Sequence, residues 1–154
     1  LFQDCGVPLE PVSESGALQI NEKGAVAFIG FSGPDVRGYL ILGASLGLLR
    51  KAYPFSGEGA AEEDLREWLK ELSNQLLGRV KGRLLRHNLS FDVSCPTSMV
   101  GMDLRGDAGE VMRFGDSSAA LLIEFDAELS PEFQFGVESA ARVMPVEGDL
   151  LLFE

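Results

Sequence analysis

The stretch AEEDLREWLKELSNQLLGRVKGRLLR, residues 61–86, decides the fold because it carries the longest periodic pattern in the chain. Its large apolar residues recur at intervals of three and four, as one face of an α-helix requires, over roughly five turns. These residues are Leu65, Trp68, Leu69, Leu72, Leu76, Leu77, Val80 and Leu84. The spacing predicts one long amphipathic helix whose apolar stripe is buried against the rest of the protein.

Upstream of this helix the sequence predicts a β-hairpin and a short helix. The β-rich runs GAVAFIGF (24–31) and GYLILG (38–43) are separated by SGPD, whose residues favour a turn. Ser45 is a suitable cap for a helix that runs to about Tyr53, and Pro54 ends it.

Downstream of the long helix the pattern changes to short strands. Residues 89–95 alternate apolar and polar side chains before Pro96, which is typical of a half-buried strand that ends in a turn. Further strands are predicted at 99–104, 110–114, 119–126 and 133–137. Hairpin-like spacing predicts an α+β fold, with a largely antiparallel sheet, one long amphipathic helix and a shorter helix packed on it.

The length favours one domain over residues 1–154, with residues 138–154 as a C-terminal extension. The apolar run LLLF at 150–153 lies in this extension. Four large apolar side chains are costly to leave in water, so we expect the protein's own sheet or a second copy of the chain to cover them.

The composition disfavours several classes of partner. The 154 residues include 24 acidic and 13 basic ones, for a net charge of -11, which disfavours nucleic acid and membrane surfaces. The apolar runs fall far short of the ~20 residues that span a bilayer. Cys5 and Cys95, without metal-ligand spacing and with a single histidine, favour free thiols in the cytoplasm over a metal site or a disulfide.

Common catalytic motifs are missing, so the polar face of the long helix is the candidate site. Glu71 and Asn74 point away from the apolar stripe, at about 100° of rotation per residue. Gly78 and Gly82 follow, although a glycine inside a helix costs ~1 kcal/mol relative to alanine. Close approach of another backbone would explain the glycines. From the residues alone, packing within the chain beside a solvated Glu and Asn remains the alternative.

The Glu-Leu-Ser-Asn sequence from Glu71 to Asn74 is an E-x-x-N motif on a long helix, followed by Gly78 and, about twenty residues later, by Pro96. In this order, with the hairpin at 30–45 and the segment 89–101, these features resemble the CheX/CheC family of chemotaxis phosphatases. The resemblance runs over residues 2–137. One E-x-x-N pair is visible, as in the single-site CheX type. Glu67 departs from the family pattern, which often has Asp or Ser there, and the spacing to Pro96 is about one residue short.

The resemblance implies a phosphatase that hydrolyses the aspartyl phosphate of a CheY-like receiver domain. It implies that Asn74 orients the attacking water, that Glu71 pairs with a receiver lysine, and that Glu67, Gly78 and Pro96 contact the partner. It also implies no cofactor of the chain's own, with Mg²⁺ supplied by the phosphorylated receiver, and it leaves a homodimer open. The alternative is a non-catalytic module of the same fold that binds a receiver or flagellar switch component or mediates dimerisation.

Overall fold

A computed structural model of the chain describes residues 7, 9–11, 24–55, 59–102, 111–116 and 119–134. The elements are β1 (Gly24–Ser32), β2 (Val36–Ser45), α1 (Leu46–Ala52), α2 (Glu62–Leu85), β3 (Asp92–Val93), β4 (Thr97–Met102), β5 (Val111–Asp116) and β6 (Ala119–Leu129). These strands form one sheet in the order β3-β1-β2-β6-β5, and β4 also pairs with β1. All the pairs are antiparallel, which confirms the predicted α+β fold.

The predicted hairpin is formed by β1 and β2, and its turn is tightly packed. Pairing runs from Gly24 opposite Ser45 to Ser32 opposite Arg37, so both strands are longer than predicted. The amide of Gly33 donates to the carbonyl of Val36 at 2.7 Å and closes the turn. A Cβ at Gly33 would lie 2.2 Å from the carbonyl oxygen of Ser90, so the chain has room only for glycine there.

Both helices begin where the sequence predicts. The Ser45 hydroxyl accepts a hydrogen bond from the amide of Leu48 at 3.2 Å and caps α1. The side chain of Asp64 accepts one from the amide of Ala61 at 3.1 Å at the start of α2. Helix α2 spans Glu62–Leu85 with Arg86 as its C-cap, within one residue of the prediction at each end.

The apolar stripe of α2 packs on two clusters of buried side chains. The N-terminal half of the stripe contacts a cluster that includes Ala25, Leu42 and residues of α1. The C-terminal half contacts a cluster around Ile29 and Leu40. The fully buried residues of the stripe are Leu65, Leu69, Leu72 and Leu77. Trp68, Leu76 and Val80 pack at the margins of the clusters and are only partly buried, so the prediction that the stripe is buried is too strong for these three residues.

Two strand predictions need correction. Of the predicted strand 89–95, only Asp92–Val93 forms a strand, which pairs with β1. Leu89 and Phe91 are buried in the core without belonging to a strand. Phe133 and Gln134 follow a turn after β6 and are not in a strand, contrary to the prediction, and the rest of the strand predicted at 133–137 lies outside the described residues. Cys95 is a free, exposed thiol. Cys5 and the extension 138–154 lie outside the described residues.

A pair of neighbouring substitutions tests the orientation of α2. Leu72 is fully buried and Glu71 beside it is exposed. Leu72→Ala should therefore lower the free energy of unfolding by about 2–5 kcal/mol, and Glu71→Ala should change it by about 0.5 kcal/mol or less. Denaturant unfolding of both variants measures the difference. Equal losses at the two positions would contradict this orientation of the helix.

Candidate functional site

Glu71 and Asn74 lie on the exposed face of α2, and the residues between them fix that placement. Leu72 and Ser73 are buried on the opposite side of α2 from solvent. The Ser73 hydroxyl donates a hydrogen bond to the carbonyl of Lys70 at 2.7 Å. Residues three apart are neighbours on a helix surface. The helix therefore presents a carboxylate and a primary amide side by side to solvent.

Four predicted site residues share this face. At about 100° per residue, Glu67, Glu71, Asn74 and Gly78 fall within about 60° of one another around the axis, and all four are exposed. We call these four residues the polar strip. Pro96 lies outside the strip, because it is in the connection before β4 and not on α2. It is half-buried, and β4 itself packs against α2.

The carboxylate of Glu71 is held by a residue that sequence reasoning missed. The side-chain amide of Gln75 donates to Oε1 of Glu71 at 2.9 Å. The two residues are four apart, and a pair at that spacing on an exposed helix face can form a side-chain hydrogen bond. This spacing was the available signal.

Glu67 is held differently, by cations of its own helix. Its Oε2 lies 2.6 Å from Nζ of Lys70, and its Oε1 lies 3.6 Å from Nη2 of Arg66. The hydrogen bond from Lys70 is the main reason that the pKa of Glu67 falls below its ordinary value, and Arg66 adds to the effect. The charge of Glu67 is therefore partly balanced within the helix.

Gly78, at the end of the polar strip, has no side chain, so the helix backbone is exposed there. A Cβ built on Gly78 meets no atom within 4 Å, and the residue is exposed. Among the described residues, no backbone from outside α2 approaches Gly78. Gly82, one turn further, is half-buried.

The polar strip offers hydrogen-bonding groups and charge rather than a nucleophile. An amide both donates and accepts, so Asn74 can hold a water molecule by either end. Within the described ranges, no cluster of three or more His, Cys, Asp or Glu could hold a metal ion. No helix in the same ranges is long and apolar enough to cross a membrane.

Known structures have the same fold. CheX from Vibrio vulnificus is 20% identical, with a TM-score of 0.64, over 80% of this chain and 85% of that one. A CheC-like superfamily protein from Shewanella sp. PV-4 is also 20% identical, with a TM-score of 0.63, over 82% and 94%. The CheX-CheY-BeF3-Mg²⁺ complex from Borrelia burgdorferi contains a chain that is 15% identical, with a TM-score of 0.53, over 82% and 94%. No curated protein matches the sequence.

The fold is that of the CheX and CheC-like proteins. Residues 25–126, well over half of the chain, match the family described as chemotaxis phosphatase CheX. The chain belongs to this family, as the resemblance in its sequence implied. The matched range includes β1 from Ala25 onward, β2, both helices and the whole polar strip.

Proposed function

We propose that this protein hydrolyses the aspartyl phosphate of a CheY-like receiver domain that docks on the polar strip of α2. The observation that carries the proposal is the exposed pair Glu71 and Asn74 on one helix face, in a chain of the chemotaxis phosphatase CheX family. The CheX of Borrelia burgdorferi forms a complex with CheY, BeF3 and Mg²⁺, which supports a receiver as the partner.

Asn74 would orient the attacking water. The water oxygen attacks phosphorus in line with the bond to the receiver's aspartate, that bond breaks, and the products are inorganic phosphate and the free carboxylate. The amide oxygen of Asn74 accepts a hydrogen bond from the water and so directs its lone pair at phosphorus. A rigid helix suits this role, because a displacement of about 1 Å can cost a positioning group about 10²-fold in rate.

Glu71 would fix the register of docking. Its carboxylate pairs with the receiver lysine that contacts the phosphoryl group, and the pairing sets Asn74 at the phosphorus. The receiver's own side chains hold Mg²⁺ in this scheme, so α2 has to supply only the amide and the carboxylate. Glu67, Gly78 and Pro96 are the further proposed partner contacts.

Replacing the amide tests the catalytic step. Asn74→Ala should slow dephosphorylation of a phosphorylated receiver from the same organism by about 10²-fold or more, because the water loses its orienting group. The affinity for the receiver should change little. Arg83→Ala is the matched control, since Arg83 is an exposed residue of α2 on the side away from Asn74.

The outcome separates the catalytic from the non-catalytic alternatives. If Asn74→Ala retains the wild-type rate, or if wild-type protein accelerates no receiver, the phosphatase proposal is wrong. Receiver binding without acceleration would then identify a binding module. Self-association through the side of α2 that carries Gly78 and Gly82, without receiver binding, would identify a dimerisation module.

Removal of the carboxylate tests the docking contact. We expect Glu71→Ala to weaken receiver binding by ~2 kcal/mol or more if the lysine pair is desolvated in the complex. The comparison is best made in an Asn74→Ala background, where slow hydrolysis preserves the phosphorylated receiver during calorimetry. Equal affinities of the single and double variants would exclude a docking contact at Glu71.

Gly78→Ala separates stability from docking. Because the added Cβ meets no atom within 4 Å, alanine should raise the free energy of unfolding by up to ~1 kcal/mol. The same Cβ should weaken binding, because a receiver backbone that approaches Gly78 has no room for it. Thermal unfolding and calorimetry measure the two effects. Unchanged affinity in a stabilised variant would remove Gly78 from the contact surface.

A further inference from the structure

Two carboxylates of the polar strip, Glu67 and Glu71, are one helical turn apart and are restrained in different ways. Glu67 is paired with the cation of Lys70 at 2.6 Å. Glu71 accepts a hydrogen bond from the neutral amide of Gln75 at 2.9 Å. A cation from a partner must compete with Lys70 for Glu67, whereas the amide restrains Glu71 without cancelling its charge.

The direction of the bond from Gln75 also matters for Asn74. At about 100° per residue, Glu71 lies between Asn74 and Gln75 around the helix axis, about 60° from the first and about 40° from the second. Glu71 and Asn74 are themselves three residues apart, a spacing at which the carboxylate could capture the amide of Asn74. The bond from Gln75 engages the carboxylate with a neighbour on the side of Glu71 away from Asn74.

We infer that Gln75 is a positioning residue of the site, which fixes the carboxylate of Glu71 for the cation of the docked receiver and keeps it off Asn74. This inference rests on the proposed function. A carboxylate accepts through both oxygens, so the bond at Oε1 leaves Oε2 able to accept from the partner. Gln75 acts through Glu71 and does not touch the phosphoryl group.

A double-mutant cycle tests whether Gln75 acts through Glu71. Gln75→Met keeps the length of the side chain and removes the amide, and should lower kcat/KM for a phosphorylated receiver by about threefold or more, mainly through KM. In a Glu71→Ala background the same substitution should have no further effect. A direct contact between Gln75 and the receiver would reduce kcat/KM in both backgrounds and would overturn the inference.

Gln75→Lys provides a second test, in which the direction of the change in receiver affinity is predicted. Lysine four residues after glutamate forms a favourable pair on a helix surface, so this variant should be at least as stable as the wild type. It should nevertheless bind the receiver more weakly than Gln75→Met, because its cation occupies the carboxylate that the receiver requires. Equal or tighter binding than Gln75→Met would overturn the inference.

Asn74→Ala, measured in the same assay, distinguishes failure of this inference from failure of the proposed function. Loss of activity in Asn74→Ala with a wild-type kcat/KM in Gln75→Met would overturn the role of Gln75 alone. Unchanged activity in Asn74→Ala would overturn the proposed function, and the role of Gln75 with it.

Discussion

The burial of four leucines of α2 is the interaction on which the rest of the site depends. Leu65, Leu69, Leu72 and Leu77 are fully enclosed between the helix and the sheet. Each large apolar side chain that is removed from water contributes about 1.5–3 kcal/mol. A rotation of α2 that turned Asn74 inward would expose part of this stripe and would bury an amide at a further cost of about 1–3 kcal/mol. The apolar side of the helix therefore fixes the direction of its polar side.

The inner surface of the sheet differs between the two halves of α2. Ala25, Ala27 and Ala44 lie under the N-terminal half of α2, and larger residues such as Ile29 and Leu40 lie under its C-terminal half. Gly38 shows how tightly the strands are packed, since a Cβ there would lie 2.0 Å from the carbonyl oxygen of Asp126. The polar strip therefore lies on a helix whose apolar side is buried on a closely packed sheet, as a positioning surface requires.

The sequence predicted the parts of the fold in which periodicity and burial coincide. The apolar stripe of α2, the β1-β2 hairpin and the Ser45 cap were all visible, because each follows from local residue chemistry. The predicted strand at 89–95 was too long, because alternation reports which side chains are buried and not which backbone groups pair. Leu89 and Phe91 fill the core from a connection. Glu71 and Asn74 could be located from the motif, whereas the spacing of four residues between Glu71 and Gln75 permits their hydrogen bond without identifying it.

The net negative charge of the chain opposes the docking of an anionic group, and ion pairs on α2 reduce this effect locally. Under the proposed function, a chain with a net charge of -11 repels the phosphoryl group of the receiver at long range. At physiological ionic strength the Debye length is about 8 Å, so charges beyond the docking surface are largely screened. The charges that matter are those of the strip, where Lys70 and Arg66 partly balance Glu67 and hold the pKa of its carboxyl below the ordinary value. Under the proposed function, Glu71 is therefore the carboxylate that meets the partner's cation. The repulsion between the receiver and the acidic residues outside the docking surface acts over distances at which salt weakens it.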